Sequence, residues 1–326
     1  MGQFLKGLVV REQSGFFRVE VEDGQHYVCR LRGRLLEEAQ PSDIAAIGDR
    51  VHITPLEVQE NAPEGTITGV IEEVEERSSA LSRAARTEGN RGAGQSEREQ
   101  VIVANAEQAF FVFAAAQPTP SLRMLDRFIV AGEKSGIETL YIVINKIDLM
   151  TAEDQTRVTA EFAPYKKLDY RLLFTSALTG QGVDELRALL QNRLSVLTGP
   201  SGVGKTSLLN VVQPGLGRAV KSVSASNFEG IHTTRDSELV KLEGGGYLAD
   251  TPGLRTLAMW DIEPEELDAY FVEIAPLVEK CRFNDCTHIH EPGCAVRAAL
   301  AKGDISKQRY ESYLKLREEL EAAYAL

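Results

Sequence analysis

Each thing this 326-residue chain lacks excludes a class of protein. It contains no run of eighteen apolar residues, so no membrane-spanning helix is expected. The opening "MGQFLKGLVV" lacks the long apolar region and small-residue cleavage site of a secretory signal. Gly2 is in place, but Lys6 stands where a myristoylation signal takes Ser or Thr. Basic residues are in deficit, 36 Lys and Arg against 48 Asp and Glu, for a net charge of −12. A chain of that balance does not adhere to nucleic acid over its whole surface, although one local basic patch is compatible with it. Cysteine is scarce, with Cys29 alone and Cys281, Cys286 and Cys294 close together. In a reducing compartment such a cluster suggests metal before disulfide. The expected protein is cytoplasmic, free of membrane and monomeric.

What is there points to more than one domain. Up to residue 76, short alternating runs such as "FFRVEVE", "HYVCRLRG" and "DRVHITPLE" are punctuated by turns. About five strands in so short a stretch predict a small N-terminal β-barrel, OB-like in type. Residues 77–100 include "RSSALSRAARTEGNRGAGQSERE", almost bare of large apolar side chains, and read as a flexible basic linker. Arg77, Arg83, Arg86, Arg91 and Arg98 outnumber Glu88, Glu97 and Glu99 there. The segment is either a solvated linker or one that orders on RNA phosphates. From Val101 the pattern changes to apolar strands, "VIVAN", "AFFVFAAA", "TLYIVINK", "YRLLFTSA" and "LSVLTG", separated by amphipathic helices. That alternation predicts an α/β domain over 101–262 with a parallel sheet. Residues 263–326 read as mainly helical, with helices at "EPEELDAYF" and "SKQRYESYLKLREELEAAY". The second puts Tyr310, Tyr313, Leu314, Arg317 and Leu320 on one face, for packing or for a partner groove.

The string "GPSGVGKT", Gly199 to Thr206, follows a strand and opens a helix, the setting of a phosphate-binding loop. The loop of Gly199, Pro200, Ser201, Gly202, Val203 and Gly204 would wrap phosphates with the backbone N–H groups of its residues other than Pro200, with Lys205 reaching the β and γ groups. The Thr206 hydroxyl, beside Ser207, would bind Mg²⁺. "NKID" after the strand "TLYIVI" chooses GTP over ATP. Its Asp148 accepts from the N1–H and 2-amino group that guanine has and adenine lacks, a contact that discriminates by roughly 10⁴-fold. Asn145 would support the base edge, the Lys146 stem would cover the ring face, and "TSA" (Thr175, Ser176, Ala177) would offer an N–H to guanine O6. In "DTPG", Asp250 is the expected Mg²⁺ partner and Gly253 the γ-phosphate sensor. Thr233 or Thr234 in "HTT" would complete the Mg²⁺ shell. Leu254 cannot orient a water, so slow intrinsic hydrolysis and stimulation by a partner are expected. His232 either positions that water or merely packs the loop.

These motifs run base, base, phosphate, switch, switch, a circular permutation of the usual GTPase order. The chain then passes from "DTPG" into the cysteine cluster, so γ-phosphate sensing is expected to pull on the C-terminal module. In "CRFNDCTHIHEPGC" the spacing C-x4-C-x-H-x5-C makes Cys281, Cys286, His288 and Cys294 a closed, structural Zn²⁺ site. His290 is the alternative nitrogen donor. Cys29 reads as a small buried strand residue.

On "GPSGVGKT", "GIHTT", "DTPG" and the Cys/His spacing, over nearly its whole length, the chain resembles the circularly permuted, ribosome small-subunit-dependent GTPases (the RsgA/YjeQ family). Thr206 replaces that family's more usual Ser, Ile231 stands where a basic residue is common, and Leu254 matches its hydrophobic residue after DxxG. The resemblance implies hydrolysis of GTP to GDP and phosphate, stimulated by the small ribosomal subunit, during late 30S maturation. The partners implied are 16S rRNA and 30S proteins. Residues alone reach a partner-stimulated GTPase with two appended modules. They leave open a regulatory switch acting on a protein without RNA, and, with less support, a small-molecule kinase.

Overall fold

The structure, a computed structural model, describes residues 4–37, 42–57, 66–84, 99–217, 219–220, 237–249 and 262–324. Strands β1 (Leu5–Gln13), β2 (Phe16–Val21), β3 (His26–Leu31), β4 (Arg50–Pro55) and β5 (Gly69–Val74) form the N-terminal unit. β1 pairs with β2, β2 with β3, β3 with β5, β5 with β4, and β4 again with β1, so the sheet closes. Period-two patterning turns Val9, Phe17, Val19, Cys29, Ile53 and Ile71 into its interior. Closure removes the free edges that an isolated sheet would expose, which is the five-stranded barrel expected from sequence. Cys29 lies against Gly69, where a Cβ would come within 2.8 Å of its sulfur. Burial pushes the Cys29 thiol up to about 12, so it acts as packing.

Two sequence expectations change at the next segment. Arg77, read as a linker cation, donates to Asp49 Oδ1 at 2.9 Å and Oδ2 at 2.8 Å and to the Asp43 carbonyl at 2.9 Å. Beyond it, β6 (Ala80–Ala84) pairs antiparallel with β7 (Glu99–Ala104), and Leu81 is buried beside Val103. The flanks of the supposed linker are therefore a hairpin, and residues 85–98 lie outside the described residues. "VIVAN" belongs to that hairpin rather than to the parallel sheet.

The central sheet runs β10 (Arg171–Phe174), β9 (Thr139–Asn145), β8 (Gln108–Ala114), β11 (Leu194–Thr198), β13 (Tyr247–Ala249), β12 (Ser237–Lys241). All neighbours are parallel except β12 with β13. β8 lies at its centre with every residue buried. Phe111 and Phe113 enter one core with Phe128 and Ile129, while Phe110 and Val112 enter the other with Leu186 and Leu208. Burying such a side chain is worth ~1.5–3 kcal/mol, so the two faces anchor the domain. Covering helices are α2 (Leu122–Lys134), α3 (Ala152–Lys167), α4 (Val183–Leu190) and α5 (Lys205–Val212); the short α1 (Gly33–Glu37) follows β3 in the barrel. Thr151 and Asp154 close a capping box at the start of α3. The barrel joins this sheet directly, because β1 pairs with β12 at Arg11↔Glu238 and Glu12↔Ser237.

The C-terminal unit contains α6 (Ala275–Val278), α7 (Ala295–Lys302) and α8 (Lys307–Tyr324). "EPEELDAYF", expected as a helix, is instead a turn followed by a 3-10 segment, Leu267–Tyr270. The α8 stripe packs inward: Tyr310, Tyr313, Arg317 and Leu320 are buried around Phe271 and Ile274, with Leu314 half-buried against them. Val130 of α2 enters the same core. At this seam the wholly buried Arg309 donates to Asp126 of α2 at 2.7 Å and to both oxygens of Glu273, at 2.7 and 2.9 Å. Its guanidinium lies 4.6 Å from the Phe271 ring centre and 5.5 Å from that of Tyr165. Tyr165 donates in turn to Asp126 at 2.7 Å.

Removing one partner of a buried ion network leaves the others uncompensated. Arg309→Ala is expected to lower unfolding free energy by about 3–5 kcal/mol, read from the urea midpoint at constant m. An unchanged midpoint would show that the seam is not held there.

Candidate functional site

The phosphate loop follows β11 and its glycines are dictated by space. A Cβ on Gly199 would stand 2.0 Å from the Val112 carbonyl oxygen, and one on Gly204 (φ 91°) 2.6 Å from Asn145 Nδ2. Gly204 caps α5 in the left-handed region, so the helix begins at Lys205 with its N-terminal end toward the loop. Such an end attracts phosphate. Lys205 Nζ donates to the carbonyls of Gly199 at 2.7 Å and Pro200 at 2.6 Å, so its amine lies over the loop. Ser201, Gly202, Thr206 and Ser207 are exposed, and Val203 is buried beneath them.

The base motif ends β9, separated from β11 by β8 alone. Asn145 is wholly buried; its Nδ2 donates to the Val203 carbonyl at 2.9 Å and its Oδ1 accepts from the Thr175 hydroxyl at 3.2 Å. One side chain thus links all three motifs. Lys146 takes φ 60°, and its amine donates to the Gln117 carbonyl at 2.5 Å. Asp148 lies in an exposed 3-10 turn, Ile147–Leu149, and one oxygen accepts from the Ser176 hydroxyl. The Ala177 N–H donates to no acceptor among the described residues. Sequence reasoning paired neither Asn145 with Val203 nor Ser176 with Asp148, since spacing does not report contacts across strands. β13 ends at Ala249 beside β11. His232, Thr233, Thr234, Asp250, Gly253 and Leu254 lie outside the described residues.

In the C-terminal unit the donor atoms of Cys281, Cys286, His288 and Cys294 all lie within 4.8 Å of one another. His288 Nδ1 is 3.6 Å from Cys281 Sγ and 3.4 Å from Cys294 Sγ, and those sulfurs are 4.0 Å apart. Tetrahedral Zn²⁺ with Zn–S near 2.3 Å needs donors roughly 3.5–3.8 Å apart, so the cluster fits. His290 is exposed and outside it. Asp268 Oδ2 is 3.2 Å from His288 Nε2 and turns Nδ1 toward the thiols, a partner that sequence spacing did not reveal. Burial opposes the charge on His288, but Asp268 and Cys281 outweigh it and raise its pKa. Burial likewise resists ionisation of Cys281, yet the Ala295 and Val296 N–H groups lower its pKa, whereas burial and neighbouring sulfurs push Cys286 up to about 12. Tyr310 donates to the His288 carbonyl at 2.6 Å and Tyr313 to that of Thr287 at 3.2 Å, so α8 braces the knuckle.

The profile of the family described as RsgA GTPase matches residues 74–260, and that of the RsgA N-terminal domain matches 6–67. The chain belongs to the RsgA GTPase family. A relative from Gemmatimonas aurantiaca, named small ribosomal subunit biogenesis GTPase RsgA, is 43% identical over 96% of this chain and 97% of its own. A Moorella thermoacetica protein of the same name is 43% identical over 95% of each. Among solved structures, YjeQ from Thermotoga maritima superposes with a TM-score of 0.75 at 36% identity, covering 98% of this chain and 99% of that one. YloQ, described as a circularly permuted GTPase, gives 0.72 at 27% identity over 98% and 96%. As a member of this family the chain is a GTP-hydrolysing enzyme, with GTP, GDP and Mg²⁺ as the ligands that membership implies. Among the described residues no helix is long and apolar enough to cross a membrane.

Asn145→Ala would leave the Val203 carbonyl and Thr175 hydroxyl without their buried partner. A loss of about 1–3 kcal/mol of stability is expected, with faster amide exchange in the phosphate loop. A loop whose exchange is unaltered would contradict the clamp.

Proposed function

We propose that the chain hydrolyses GTP during late maturation of the small ribosomal subunit, in the cytoplasm, as a monomer stimulated by that subunit. What carries this reading is that relatives aligned over 95% or more of both chains bear the name small ribosomal subunit biogenesis GTPase. Asp148 reads guanine N1–H and the 2-amino group, the Ala177 N–H meets O6, and the Lys146 stem, held by Gln117, lines the ring. Gly199 through Gly204 wrap the phosphates with backbone N–H groups, and Lys205 turns from its loop carbonyls to the β and γ oxygens. Thr206, with Thr233 or Thr234 and with Asp250 behind, holds Mg²⁺, which draws negative charge from the transferring phosphoryl group. Gly253 senses the γ-phosphate and His232 positions the water that Leu254 cannot. Cys281, Cys286, His288 and Cys294 hold one structural Zn²⁺. The working division is a barrel over 1–76, a connecting segment over 77–100, the GTPase domain over 101–262 and the zinc module over 263–326.

The barrel supplies a surface suited to RNA on an otherwise acidic chain. On its outer face Arg11 lies across from Arg18, and Gln13 across from Phe16. Phe16, Arg18 and Arg30 are exposed. An exposed ring flanked by cations can stack a base while the guanidinium groups meet phosphates.

Turnover measured with and without purified 30S subunits is expected to rise by orders of magnitude in their presence and to lose that gain as salt increases. Absence of stimulation, with a protein co-purifying instead, would favour the regulatory switch without RNA. Removal of zinc by a chelator is expected to melt the C-terminal unit, seen as a separate lower-temperature transition. A metal-free protein with one unshifted transition would refute the structural ion.

A further inference from the structure

β12 is the last strand of the central sheet, and its outer edge is taken by β1 of the barrel. Backbone pairing makes only part of that join, at Arg11↔Glu238 and Glu12↔Ser237. The Arg11–Glu238 ion pair there, at 3.7 Å, is half-exposed and contributes little alone. At the other end of β12, Lys241 pairs with Glu20 of β2, whose side chain is only 10% exposed. Register explains the reach: Glu20 faces Leu8 in β1, and β12 runs antiparallel to β1 toward Leu8. Tyr247 of β13, the cross-strand partner of Lys241, hydrogen-bonds the same carboxylate. One barrel side chain thus holds both strands of the β12–β13 hairpin. In the chain, β12 begins just after Thr233 and Thr234, and β13 ends at Ala249, next to Asp250.

We infer that Glu20 is a positioning residue for hydrolysis: through Lys241 and Tyr247 it registers the β12–β13 hairpin against the barrel, so that nucleotide state and a partner on the barrel bias one another. This rests on the reading of Thr233, Thr234 and Asp250 as the groups that hold Mg²⁺. The hairpin then has one such group beyond each end, and a shift of β12 changes their spacing. β13 is tied to β11, with Ala249 opposite Val196, whereas the outer edge of β12 is tied to the barrel. The barrel is closed and the central sheet is packed on both faces, and close-packed interiors do not absorb a displacement internally. β1 and β2, the strands that hold β12, also carry Arg11, Phe16 and Arg18 of the barrel's outer face. A partner seated on those residues therefore loads the strands that position the hairpin. Such coupling between two sites is reciprocal.

The test follows amide hydrogen exchange of the full chain with Mg²⁺ and either GDP or a non-hydrolysable GTP analogue. In the parent, protection of β12, β13 and β1 is expected to differ between the two nucleotides. Glu20→Lys and Lys241→Glu, each alone, should abolish the difference at β1, and the swapped pair should restore it. With purified 30S subunits, maximal turnover of each single variant is expected to fall about tenfold and to recover in the pair. The half-saturating subunit concentration, and turnover without subunits, should stay within about twofold of the parent's, since the latch touches neither ligand. A β1 indifferent to nucleotide while β12 responds would overturn the coupling. A difference at β1 that survives both single variants would overturn the role of Glu20. A raised half-saturation with an unchanged maximum would overturn it too, by giving Glu20 to the partner's contact surface. Identical exchange of β12 and β13 with both nucleotides would sink the Mg²⁺ assignments and the proposal with them. An exchange difference at β1 that depends on the latch, without any stimulation by subunits, would uphold the coupling and remove only the ribosomal reading.

Discussion

The buried amide of Asn145 is the contact on which the site depends. From the end of β9 it donates to the phosphate-loop carbonyl of Val203 and accepts from Thr175 at the end of β10. The end of β9, the glycine loop after β11 and the end of β10 are thereby fixed to one another by a side chain with no exposure to water. A buried amide of this kind has few alternative geometries, because each unmade bond would cost about 1–3 kcal/mol. Its reach also explains why motif order in the chain is immaterial. β9, β8 and β11 are neighbours in a parallel sheet, and their ends meet at the same edge whichever is synthesised first.

Around that sheet the two appended units are joined by different physics. The barrel is continuous with it through backbone pairing of β1 and β12, and Arg77 with Asp49 pins the chain where it leaves the barrel. The C-terminal unit is held by a charge network, Arg309 with Asp126 and Glu273, sandwiched by Phe271 and Tyr165. Burial pushes the Asp126 carboxyl up, and the opposing pull of Arg309 keeps the pair meaningful only when both remain in place. Backbone pairing specifies register, whereas a buried ion network specifies one docked geometry and penalises near misses.

The legible parts of the sequence were those where backbone geometry restricts the residue. Gly199 and Gly204 have no room for a Cβ, and the convergence of four donor atoms within 4.8 Å restricts the spacing of Cys281, Cys286, His288 and Cys294, so both motifs stand out in one chain. Parts fixed by tertiary contact were not legible. Arg77 looks like solvated charge until Asp49 is seen inside the fold. The helix α3 buries only Val158, Phe162 and Tyr165, too faint a stripe to announce itself. Residues 264–270 have helical composition, yet form a turn and a 3-10 segment that bring Asp268 to His288. The role of Asp268 depends on that bend, which no local propensity encodes.

The same network bears on the expectation that γ-phosphate sensing pulls on the C-terminal unit. The chain enters that unit at Ile262, which is buried in its core. A direct pull from the γ-phosphate sensor would have to act through this point. Yet the unit is docked on α2 and α3, through Asp126, Val130 and Tyr165, and neither helix carries a group assigned to the nucleotide. Swinging the whole unit would expose Arg309 and Asp126, which no solvent reaches in the docked form, and uncover the mostly buried Glu273 side chain. Keeping the unit docked with Arg309 paired to Asp126 and Glu273 is the arrangement that costs this structure least.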